Sequence, residues 1–523
     1  EDQDYWHLSG VFRPVTLYSK PRMYIEDVMV RADQDGNFML DCQVTRVSGF
    51  ADTLVRLHIY DPDGKIIYRE KRAPAAEPPS FLDHDAPMPG HARFHVKIDH
   101  PRLWTPETPT LYRVHLALLD PGSGDAADRE KVRFGFRTVS IEDGVLKLNG
   151  RRVIVRGVNR HEHSVDGGRA VSREQMKKEI LLMKELGVNP DDPAFYDLCD
   201  EHGLMVVCET NLETHGVRGM LSNDPEWAEA YLQRARRMAQ THKNHASILI
   251  WSLGNESGLG PHHAAMAAWL RYYDPTRPVQ YESGNPGRAI SDVRCPMYPT
   301  REAILELLSD TKDDRPVILC EYAYQILNSG GGLSRFRELT EKYPRFQGGF
   351  VWDFQDKALW RADHTPGYGG DFFEAVTEPY EPKFMCMNGV VTHDLTVKPV
   401  GLEMQAVYAP VFLERREGNR YAFKNRFLAL TTAGFTLSWT AYAAGEPTGS
   451  GEMPLPALAP MSEGEISFGP ARAAGEDAYL DVDIVCPEGK AYHQQFLLGG
   501  VLPSPRRVRY LPATFDDSHG MIT

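Results

Sequence analysis

"ILIWSLGNESG", residues 248–258, decides how this chain is read. An apolar run able to fill a buried strand stops on Asn255 and Glu256, an amide beside a carboxylate. Short apolar runs of this kind suit a parallel sheet covered by helices on its outer face. Similar runs recur at 152–159 (RVIVRGVN), 204–210 (LMVVCET), 278–283 (PVQYES), 292–298 (DVRCPMY), 316–322 (PVILCEY) and 348–354 (GGFVWDF), which with the first makes seven candidate strands.

Helix signals fall between most of them. Ser172 and Gln175 read as a capping box, with Met176, Ile180 and Met183 on one apolar face. Asp224 followed by Pro225 opens another helix, and a third is predicted from His262 to Tyr272. Alternating strands and helices predict a parallel α/β architecture. The alternation misses one beat: the helix ending "KELGVN" is followed across "PDDP" by a second helix, "AFYDLCDEHG", although a parallel crossover requires a strand between them. The pattern predicts an eightfold barrel lacking one strand between Asn189 and Pro190, since eight strands are the number at which side chains fill the interior.

In such barrels chemistry sits at the C-terminal strand ends. Glu256 and Glu321 each close a strand, and Glu209, Glu213 and His215 follow another. Two carboxylates across a cleft are what glycoside hydrolysis requires, one as nucleophile or base and one as acid. The competing reading pairs each glutamate with a barrel arginine. Asn255 can hydrogen bond a sugar hydroxyl, while Tyr298 and Trp352 offer a phenol and a stacking platform or else simply fill the core. His163, His262 and His263 are close in sequence but have no partners at metal-ligand spacing, and read as solvated loop histidines.

Outside the barrel the pattern changes to alternation with Asp, Gly and Pro turns, from about Tyr24 to Val139 and again after Pro410. The predicted organisation is therefore residues 1–18, a β-sandwich at 19–137, a catalytic barrel at 138–408, and a second sandwich with its tail at 409–523. A net charge of −14 argues against a nucleic acid partner, and no apolar run approaches the ~20 residues of a membrane span. Seven scattered cysteines without CxxC spacing favour reduced thiols and a cytoplasmic location. The opening "EDQDYWHLSGVFR" carries neither Met nor a signal peptide.

The stretches "FGFRTVSIEDGVLKLNGRRVIVRGVNRHEH", "ETNLETHG", "LIWSLGNESG", "RPVQYE", "CPMY", "RPVILCEYA", "GGFVWDF" and "CMNG" resemble, in order, the bacterial lactase-type β-galactosidases of glycoside hydrolase family 2. The resemblance implies a (β/α)8 TIM barrel between two immunoglobulin-like sandwiches, with 1–18 the remnant of an N-terminal jelly-roll domain. It also implies that most of that domain and a large C-terminal domain of the longest members lie outside this sequence. It implies a retaining exo-acting enzyme taking β-galactosides such as lactose, with Glu321 as nucleophile, Glu256 as general acid then base, and Tyr298 hydrogen bonded to the nucleophile. His161, Asn255 and Trp352 would line the sugar site. Mg²⁺ would be held by Glu213, His215 and Glu256, against a metal-free reading in which His215 merely orients Glu256. Na⁺ would lie against Asp4, which also binds sugar, with Asn388 and the backbone carbonyl of Met385. Family members are often homo-oligomers.

Two departures bear on specificity. The missing strand would take a sugar-binding histidine with it, and Tyr324 stands where these enzymes carry another. The alternatives kept open are β-glucuronidase, β-mannosidase, and an inactive carbohydrate-binding or scaffold protein.

Overall fold

The computed structural model describes the chain except residues 1–5, 7, 46–52, 77–89, 187–192, 326–329, 373–385, 471–477, 500–514, 517–520 and 523. It divides into two compact units, Glu1–Tyr408 and Ala409–Thr523.

Strict alternation in the first 140 residues produces strands with one buried face. Leu54–Tyr60 alternates intermediate and buried positions along its length. Ile25–Ala32, Asn37–Val44, Gly90–Lys97 and Ala75–Ala76 form one antiparallel sheet, and Ile66–Arg72, Leu54–Tyr60, Tyr112–Leu119 and Ala126–Phe134 another. Their inward residues, among them Phe38, Leu40, Leu57, Phe94, Val114 and Phe134, share one core. Bonds from this module hold the outer end of the barrel. The Asn244 side chain pairs with the backbone of Val28 and Val30, and Arg137 bonds the carbonyls of Ala246 and Ile248 at 2.5 and 2.9 Å. The strand beginning at Ile248 is thereby fixed from its N-terminal end.

The barrel strands are Val155–Val158, Val206–Glu209, Ile248–Ser252, Val279–Gln280, Val317–Tyr322 and Phe346–Val351. They pair in parallel, in the orders 206–209 / 248–252 / 279–280 and 155–158 / 346–351 / 317–322. All five residues of Ile248–Ser252 are buried, as its apolar sequence requires. The predicted strand 292–298 is a correction. It makes only isolated bridges, Arg294 to Val317 and Met297 to Glu321, because Pro296 lacks the N–H a ladder needs. It still joins the two groups, since Asp292 N bonds Val279 O at 2.7 Å and Tyr298 N bonds Glu321 O at 2.8 Å. The strands therefore form one arc whose ends, among the described residues, are Val155–Val158 and Val206–Glu209. The place predicted for the absent strand, 187–192, lies outside the described residues.

The helices follow their sequence signals closely. Asp224 caps a 3-10 turn, Pro225–Trp227, by accepting from Glu226 N at 3.1 Å, and Ala228–His242 continues from it. Pro261–Tyr273 forms the next. At Arg173–Leu186 half of the predicted capping box is present. Ser172 Oγ accepts from Gln175 N, but the Gln175 amide bonds Glu179, which forms a buried ion pair with Arg160.

The second unit holds two antiparallel sheets, Val411–Arg415, Arg420–Asn425 and Glu463–Ser467, and Glu446–Pro454, Thr436–Ala443, Ala478–Val485 and Ala491–Gly499. Leu413, Phe423, Leu437, Leu480 and Ile484 contribute to its core. No helix among the described residues is long and apolar enough to cross a membrane. All seven cysteines are thiols rather than disulfides.

Candidate active site

Parallel strands deliver their last residues to one rim, and the acids found there come from four neighbouring positions. The strand Val206–Glu209 ends on Glu209, whose carboxylate accepts from Ser252 Oγ at 2.8 Å. Past its end, Glu213 bridges to Asn255, with Asn255 N on Leu212 O at 2.9 Å and Asn255 Nδ2 on Glu213 Oε1 at 3.3 Å. Gly254 permits this approach: its φ is +130°, and a Cβ there would stand 2.5 Å from Leu212 O.

Glu256 follows with φ 44°, a left-handed conformation rare for a non-glycine residue. Its backbone N–H donates to Glu282 Oε1 at 2.7 Å, and its carboxylate lies 3.8 Å from His215 Nε2. Tyr298 and Ala323 share that conformation, at 46° and 54°. Strain of this kind collects at sites where side chains must be aimed rather than packed.

Glu321 lies inside the strand Val317–Tyr322 and is 7% exposed. The Tyr298 hydroxyl donates to its Oε2 at 2.5 Å. Tyr298 itself is 39% exposed, so the phenol is a rim group and not core. Tyr324 meets it edge-on, with centroids 5.9 Å apart. Trp352 is buried and packs edge-on against His161 at 5.3 Å. Burial first, then the nearby Lys357 charge, push the His161 imidazole down to about 3, so it is a neutral hydrogen-bonding group at ordinary pH.

Two groups here were not singled out from sequence. Glu282 follows the strand Val279–Gln280, and burial together with the adjacent Glu256 charge raises its carboxyl above the usual range against the bonds from Ser283 and Glu256 N. Its signal was a carboxylate closing "RPVQYE". Lys357 is 2% exposed and reaches the Asp353 carboxylate and Asn388 Oδ1, with its Nζ 5.6 Å over the Trp352 ring. Its signal was three polar residues, "QDK", following an apolar strand.

The three histidines read as solvated are buried, which corrects that reading. His163 Nε2 meets Ala358 O at 2.7 Å, His262 Nε2 meets Asp224 O at 2.7 Å, and His263 is wholly buried and stacked on Tyr281 at 4.1 Å. An imidazole with a backbone carbonyl or an aromatic partner can pack as core, a choice sequence spacing does not reveal.

For Mg²⁺, the donor set of two carboxylates and an imidazole suits a hard cation that keeps several waters. Glu256 Oε2 and His215 Nε2 stand 3.8 Å apart. For Na⁺, Asp4 and Met385 lie outside the described residues, and the Asn388 oxygen is already held by Lys357 at 3.3 Å.

Residues 139–413 match the glycosyl hydrolases family 2 TIM barrel domain, and residues 23–137 match the glycosyl hydrolases family 2 domain that precedes it. The chain is 37% identical to a β-galactosidase of Psychromonas ingrahamii, over 94% of this chain and 50% of that protein. It is also 37% identical to β-galactosidase 2 of Enterobacter cloacae, over 93% and 50%. The chain thus spans about half the length of the curated relatives it matches. Bacteroides uniformis β-glucuronidase 2 shares the fold, with a TM-score of 0.60 at 18% identity over 92% of this chain and 63% of that one. With family domains matched across both the first module and the barrel, and acids grouped on the barrel rim, the chain belongs to glycosyl hydrolase family 2.

Proposed function

We propose that this protein is a retaining exo-β-galactosidase. The observation that carries the reading is Glu321, a nearly buried carboxylate at a strand end held by the Tyr298 hydroxyl at 2.5 Å, in a chain 37% identical to β-galactosidases.

In the first step a Glu321 oxygen attacks the anomeric carbon while Glu256 gives its proton to the departing glycosidic oxygen. In the second, Glu256 takes a proton from water, whose oxygen bonds the anomeric carbon and releases the Glu321 carboxylate. The bond from Glu256 N to Glu282 and the left-handed φ fix the backbone that carries this carboxyl on the rim. Asn255, His161 and Trp352 bind the sugar, the neutral imidazole of His161 offering one donor and one acceptor. Glu213, His215 and Glu256 would hold Mg²⁺, which when bound supplies positive charge beside the acid/base carboxylate. The antiparallel modules before and after the barrel in sequence are read as immunoglobulin-like sandwiches, and the chain's first residues as the end of a jelly roll.

Proton NMR of the first product from an aryl β-galactoside should show the β anomer, and Glu321→Gln should abolish turnover with the fold intact. An initial α anomer would mean inversion, and full turnover in the variant would remove Glu321 from its role. A panel of aryl β-galactoside, β-glucuronide, β-mannoside and β-fucoside decides the sugar, with Tyr324 the residue whose difference matters most.

A further inference from the structure

Lys357 brings a full positive charge into the interior beside the sugar site. Its Nζ bonds the Asp353 carboxylate, stands 3.3 Å from Asn388 Oδ1, and lies 5.6 Å over the Trp352 ring. The backbone holds it there. Lys357 N bonds Cys386 O at 2.8 Å, Asp353 N bonds Asn388 O at 3.0 Å, and Trp6 Nε1 bonds Lys357 O at 2.6 Å. One residue on, Gly389 N donates to Asp356 Oδ1, which is also bonded by Lys398 Nζ. A Cβ at Gly389 would stand 2.2 Å from Asp356 N, so the two segments are in direct backbone contact. Moving the ammonium away would break its ion pair with the 1%-exposed Asp353 carboxylate.

This arrangement conflicts with a sodium ion on Asn388. A bound ion needs the amide oxygen in its own coordination shell, and that oxygen already faces a fixed cation. Two positive charges a few ångströms apart, away from water, repel strongly. We propose that Lys357 is a built-in replacement for the sodium ion that the family resemblance assigns to Asn388, so that this protein takes no sodium there. The placement beside Trp352 as part of a sugar site rests on the functional reading above, whereas the exclusion of sodium rests on the geometry alone.

The test is ²³Na NMR linewidth on the whole protein, titrated with NaCl against choline chloride at constant ionic strength. The wild type should cause no saturable broadening, whereas Lys357→Gln should cause broadening and gain a sodium-specific rise in melting temperature on the order of 5 °C. Lys357→Arg, which keeps the charge, should match the wild type. Saturable broadening by the wild type would overturn the proposal, as would a folded Lys357→Gln indifferent to sodium. Linewidth does not depend on turnover, so a protein inactive on β-galactosides would sink the functional reading and leave this result standing.

Discussion

Tyr298→Phe separates the two chemical steps. The hydroxyl donates to Glu321 at 2.5 Å, and hydrogen bonds to charged groups are worth about 1.5–3 kcal/mol against about 0.5–1.5 for neutral ones. On the proposed double displacement, Glu321 loses its charge in the first step as it bonds the sugar, so the bond from Tyr298 weakens and its removal costs little beyond positioning. In the second step the carboxylate charge returns, and the bond strengthens in the transition state. The difference, about 1–1.5 kcal/mol, corresponds to roughly 5- to 15-fold on release of the sugar. With an activated aryl β-galactoside, kcat should fall by about that factor, KM should fall with it, and stopped-flow traces should show a burst of phenol as the glycosyl-enzyme accumulates. Because the acceptor, Glu321, is only 7% exposed, losing this donor should also lower stability, by about 1–3 kcal/mol in urea denaturation. A variant with unchanged kcat and no burst would refute the argument; so would one whose kcat/KM alone declines.

Glu179→Leu removes the buried ion-pair partner of the Arg160 guanidinium, whose side chain is 2% exposed, and should cost about 3–5 kcal/mol in urea denaturation; a loss below about 1 kcal/mol would show the pair is replaceable. Burial holds the imidazoles of His161, His163 and His263 down at about 3, 4 and 4. Unfolded histidines take up protons near pH 6.5, so stability is lost as pH falls from there toward 4, by about 1.4 kcal/mol per pH unit for each. His263→Phe keeps the ring on Tyr281 and should reduce proton uptake on unfolding by about one between pH 6 and 5; an unchanged slope would mean His263 is not buried neutral. A chelator should slow turnover and Mg²⁺ restore it, while indifference to both would favour His215 as a simple orienting group for Glu256.

Much of the barrel was legible because its signals are local. Apolar runs such as 248–252 and caps such as Asp224 act over a few residues, and both formed as read. The strand at 292–298 was overstated because Pro296 limits its ladder while neighbouring strands still hold it in place. Strand-end position also brought Glu256, Glu321, Asn255 and Tyr298 to notice, since a parallel sheet carries its chemistry on one rim.

Sequence alone thus determined the alternation of strands and helices, the carboxylates that close the strands, and the kinship carried by eight ordered motifs. Tertiary structure alone decided the partners: Tyr298 on Glu321, Glu282 beneath Glu256, three histidines buried rather than solvated, and Lys357 on the oxygen expected to bind sodium. The physical reason is range. Periodicity and capping are set by neighbours along the chain, whereas protonation and ion binding depend on burial and charge contributed by segments distant in sequence, as Asn388 is from Lys357.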